Sequence, residues 1–152
     1  MSTDTIPANI DQFNRTALSL FSRLYDRFPA PTDIEPLDLG LSGIPDDASD
    51  VQALSYAVRA EHVISWLEEE GFIRVQDRDL GSKFYGVRLS LRGLTVLGYI
   101  PTVLKQGEEP ETMITKVKRA LSSGAEKAGA EAVKGLLSEL FKLALSSAIS
   151  QA

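Results

Sequence analysis

The sequence predicts an α+β fold, mainly helical with one small β-hairpin. Three observations carry this. Apolar residues recur at helical spacing in stretches that begin near Ile10, Val51 and Glu111. Between Phe72 and Leu91 the spacing changes to alternation about a glycine-containing turn. Prolines gather between the first two stretches, with four of the seven in residues 29–46.

Taken in order, residues 1–9 are polar and are expected to fray. Ile10, Phe13, Ala17, Phe21, Leu24 and Phe28 then lie on one helical stripe. Asn9 is the expected N-cap, and Pro29 ends the helix. No long helix can cross the proline-rich stretch that follows. Within it Ile34–Leu39 alternates, and reads equally as a short edge strand or a surface loop.

Asp46 and Asp47 are expected to open the next helical stretch, where acids suit the positive helix end. Val51, Leu54 and Val58 form one stripe, and Ala60, Val63, Ile64 and Leu67 form a second, shifted in phase. Either one helix of about 23 residues is buried on two sides, or two short helices meet near residues 55–58. In the second case Ser55 caps the later helix. Glu68, Glu69 and Glu70 lead to Gly71, a natural helix stop, and Trp66 reads as a core residue.

Alternation puts Ile73 and Val75 inward on the first hairpin strand, and Asp79-Leu80-Gly81-Ser82 makes the turn. On the return strand Tyr85, Val87, Leu89 and Leu91 share one face, and Phe84, Gly86, Arg88 and Ser90 the other. Ser90 is placed to cap a short helix carrying Leu94 and Leu97, ended by Gly98 and Pro101. Residues 10–101 thus read as one domain and 102–110 as a linker. Residues 111–152 read as a C-terminal amphipathic helix or helical hairpin, with glycines at 124, 129 and 135 marking where it could break.

Composition excludes more than it selects. Without cysteine there is no disulfide, zinc-thiolate site or cysteine nucleophile, and a single histidine excludes a multi-histidine metal site. No phosphate-binding glycine loop or HExxH motif occurs. His62 lacks a nucleophile and carboxylate in a recognisable pattern, so no catalytic residue, cofactor or metal is expected. The N-terminal stretch has no basic and apolar signal pattern, so a cytoplasmic location is expected. The net charge is −5, yet Arg74, Arg78, Lys83, Arg88 and Arg92 cluster, opposed only by Asp77 and Asp79.

The order helix, edge strand, helical stretch, hairpin, short helix resembles the winged helix-turn-helix superfamily. The likeness rests on Val63-Ile64-Ser65-Trp66-Leu67-Glu68-Glu69-Glu70-Gly71-Phe72-Ile73 and on Val87-Arg88-Leu89-Ser90-Leu91-Arg92-Gly93-Leu94. It covers roughly residues 10–100. The resemblance implies a winged helix-like domain followed by a long C-terminal helical segment. It also implies that Ser55, Tyr56, Arg59 and His62 face a DNA major groove, while Arg74, Arg78, Lys83 and Arg88 in the wing meet the DNA backbone or minor groove.

Two functions follow from the resemblance: duplex DNA binding in transcriptional control, or a non-catalytic protein-interaction or scaffold module that keeps the fold. The tail stripe of Ile114, Val117, Leu121, Leu136, Leu140 and Leu143 must be buried somewhere. Self-association into a homo-oligomer, in coiled-coil fashion, is the expectation. Packing back on the domain is the alternative, and a membrane surface is the least favoured partner.

Overall fold

The computed structural model describes residues 6–41, 49–79, 83–99, 110–122 and 130–150. Helix α1 spans Ala8–Arg27. It begins before the expected Asn9, because the Pro7 carbonyl already accepts from the backbone N–H groups of Ile10 and Asp11. It ends where Phe28, preceding Pro29, is held in extended backbone. Strand β1, Thr32–Ile34, overlaps the stretch that alternated in the sequence only at Ile34. The short helix α2, Pro36–Leu41, takes most of that stretch instead, with Pro36 at the first position, where the missing N–H costs nothing.

Helix α3, Asp50–Glu69, is continuous. Ser49 caps it through a reciprocal box with Gln52, so Ser55 is interior and caps nothing. Asp46 and Asp47 lie outside the described residues. Gly71 follows the helix with a φ of +85°, a conformation glycine adopts without strain. Strands β2 (Ile73–Arg74), β3 (Asp77–Arg78) and β4 (Phe84–Leu89) form the hairpin. Both β2 and β3 pair antiparallel with one side of β4, and β1 pairs antiparallel with the other.

Phe84 was expected outward; it is buried with Val87 and Leu89. The cause is an irregularity in the β1–β4 ladder: Thr32 pairs with Val87 but Ile34 with Phe84, two steps against three. The extra residue reverses the alternation, and Gly86, at φ +64°, supplies the left-handed backbone. Ser90 caps α4 (Leu91–Leu97) as expected, accepting from the Gly93 N–H at 3.1 Å, but Leu91 points into solvent.

Helices α5, Met113–Ser122, and α6, Ala130–Ser150, complete the fold. Both pack on α1 and α4, and on each other. Lys118 reaches Asp26 of α1 at 2.5 Å, and Lys116 lies 3.8 Å from Glu139 of α6. Met113, Ile114, Val117, Val133, Leu137, Leu140 and Ala144 join one buried cluster with the residues of α1, α3 and β4. The tail is therefore part of the core.

That finding corrects the premise for self-association. Ile114, Val117 and Leu140 are buried within the single chain, and Leu121, Leu136 and Leu143 pack partly buried against the same core. The stripe needs no second chain to cover it. Burial of α1 over most of its circumference, including Asn14 and Thr16, has the same origin: α2, α3, α5, α6 and β4 all touch it.

Candidate functional site

Helix α3 has three sides, and the expected site residues divide among them. Ala60, Val63, Ile64 and Leu67 face the core. The other stripe, expected to be buried too, is exposed: Val51 is 77%, Leu54 63% and Val58 53% accessible. Leu37 of α2, 41% accessible, stands beside it, and Leu37, Leu54 and Val58 line one groove with Glu35, Glu61 and Lys83. Glu35 and Glu61 line this groove, with Lys83 as a cation beside them.

Arg59 turns to another side, where its Nη1 donates to the Gln12 Oε1 of α1 at 2.8 Å. His62 is exposed on that side, whereas Ser55 is exposed and Tyr56 half-buried nearer the helix start. Arg78 is held on the opposite flank. It pairs with Glu68, donates to Ser65 Oγ at 3.4 Å, and lies 5.0 Å over the Phe84 ring. Arg59 and Glu68 are nine positions apart, which at about 100° per residue is half a turn. Arg59 and the hairpin cations therefore do not share one surface.

Among those hairpin cations, Lys83 stands 5.4 Å over Tyr85, beside the apolar face. Tyr85 donates from its hydroxyl to Asp79 Oδ2 at 2.8 Å, and that bond to a carboxylate raises its pKa above the usual tyrosine value. Arg92 is structural: it donates to the Glu70 and Ala144 carbonyls and covers the Phe72 ring. Arg74 and Arg88 are directly paired across β2 and β4, both exposed, and no acidic partner meets either among the described residues. Like charges in that position cost stability.

Sequence reasoning missed a cleft between α1, α3 and α6. Trp66, expected in the core, is 41% exposed at its edge. Its ring meets Phe13 edge-on at 5.2 Å and Phe141 of α6 at 5.6 Å, while Phe13 and Phe141 are 6.4 Å apart. Nothing in the local pattern around residue 66 reveals this, because Phe141 arrives from a segment 75 positions away. Asn14 lines the same cleft, is 5% exposed, and its amide nitrogen has no partner. The Gln12 amide nitrogen is likewise unmatched. A buried donor left unmade costs about 1–3 kcal/mol.

Among the described residues, no cluster of three or more acids and histidines is arranged to hold a metal ion. Nor is any helix there long and apolar enough to cross a membrane. No family model, curated protein or solved structure matches this chain.

Proposed function

We propose that the chain is a non-catalytic winged helix-turn-helix module whose α3 face binds a protein partner. The order α1-β1-α2-α3 followed by the hairpin, and a sheet ordered β1-β4-β2, support the winged-helix part of this reading. The observation that carries the binding part is the exposed stripe Val51, Leu54 and Val58. This stripe lies apart from Ser55, Tyr56, Arg59 and His62, the residues that the resemblance turns to a major groove, where hydrogen-bonding side chains would read the bases. Here it offers aliphatic side chains bordered by acids, which repel phosphate. The matching partner is an amphipathic segment with an apolar face and basic flanks.

A second reading, duplex binding through the hairpin, is favoured by Arg74 and Arg88 alone. Fluorescence anisotropy with a random duplex at low salt separates the two. Under the protein-binding reading the folded protein does not bind duplex. Binding that falls steeply with salt, with a slope reduced by Arg74→Ala and Arg88→Ala, would establish the DNA reading instead.

A further inference from the structure

We propose that the cleft between α1, α3 and α6 is a binding site for a small aromatic carboxylate. Its volume, about 630 Å³, is in the range of small-molecule sites. Phe13, Trp66 and Phe141 give it an aromatic wall, with ring centroids 5.2–6.4 Å apart at edge-on and tilted angles. Such a wall suits the body of an aromatic ligand, whose ring gains from edge and offset contacts beyond simple burial.

The polar groups specify the ligand's other end. Among the described residues no acid lines this cleft, whereas Arg59 and His62 both do. Arg59 donates to Gln12, and its guanidinium meets no carboxylate among the described residues. A carboxylate can accept two parallel N–H bonds from such a fork. A cation that meets no acid among the described residues and an aromatic wall beside it converge on one ligand chemistry. The site is separate from the Val51–Val58 face and does not depend on the reading given for it.

Trp66 is the chain's one tryptophan, so its emission reports on this cleft directly. The probes are 3-phenylpropanoate and its neutral amide, 3-phenylpropanamide, neither of which absorbs where tryptophan is excited selectively. The carboxylate is expected to change Trp66 emission saturably, with half-saturation at about 1 mM or below. The amide should bind about tenfold more weakly. Arg59→Gln should remove that difference while leaving the circular dichroism and melting of the protein unchanged. No saturable change with either probe would overturn the proposal. So would equal affinity for acid and amide in the wild-type protein, a comparison that needs no variant.

Discussion

Arg92 reaches from α4 to the carbonyl of Ala144 on α6, with its Nη2 at 3.4 Å while Nη1 donates to the Glu70 carbonyl at 3.0 Å. One guanidinium thus ties the end of α3, the start of α4 and the last helix together, and its plane covers Phe72 at 5.2 Å. Replacement by alanine removes both the bonds and the packing, and should destabilise by about 1–3 kcal/mol in urea denaturation. Arg92→Lys should recover little of this, since an ammonium cannot span the two carbonyls and the ring at once.

The placement of α5 and α6 makes a second expectation. A chain ending at Gln106 loses Met113, Ile114, Val117, Val133, Leu137, Leu140 and Ala144 from the common core. It should not unfold cooperatively, whereas the full chain should show one transition by both circular dichroism and Trp66 emission. A truncated chain that melts as sharply as the full one would mean that the tail is an independent appendage.

Gly93 tests the close approach of α4 to the entry of β2. Helix propensity alone makes Gly→Ala favourable by about 1 kcal/mol in a helix interior. A Cβ at position 93, however, would lie 2.3 Å from the backbone oxygen of Phe72, which cannot swing aside. Gly93→Ala is therefore expected to destabilise, by about 1–3 kcal/mol, as read from the urea midpoint.

Tyr85 gives a pH-dependent expectation. Its phenol ionises above the usual value because its hydroxyl donates to Asp79, while Asp33 and Asp77 add negative potential. A raised folded-state pKa means that this stabilisation is fully present below the unfolded value, about 10. It is lost as pH rises from there through the folded value. Asp79→Asn should bring the ultraviolet titration of Tyr85 back toward the ordinary range, with Tyr85→Phe identifying which phenol is observed.

Much of the fold was legible because its signals are local. Ser90 before Leu94 and Leu97 marks a helix start, and Gly71 after Glu70 marks a stop. What was not legible depended on partners distant in sequence or on a change of phase. The buried residues of α6 are Val133, Leu137, Leu140 and Ala144; Leu140 was expected, whereas Leu137 takes the buried place one position past the expected Leu136. A stripe carried unbroken from Ile114 assumes one continuous helix, whereas α5 stops at Ser122 and α6 starts afresh at Ala130. Phe84 was misplaced because period-2 alternation carries no mark of an extra residue in the ladder.

The candidate surfaces were legible only as residue types. Arg59, Arg78 and Arg88 were identifiable as cations, but Gln12, Glu68 and Arg74 decide what each is free to do. Val51, Leu54 and Val58 were correctly grouped as one stripe. Their exposure follows from α3 being a single helix, since its opposite side already fills the core with Ala60, Ile64 and Leu67.

The most direct measurement is calorimetric titration of a designed amphipathic helix of leucine and lysine into the wild-type protein and into Leu54→Ser/Val58→Ser. The double substitution leaves every charge in place and alters two exposed side chains, so it should not disturb the core. Wild-type binding with an affinity loss of about tenfold in the variant, about 1.4 kcal/mol, is the expected result. Equal affinity in the two proteins, or no binding by the wild type, would contradict the assignment of this α3 face as the partner-binding surface.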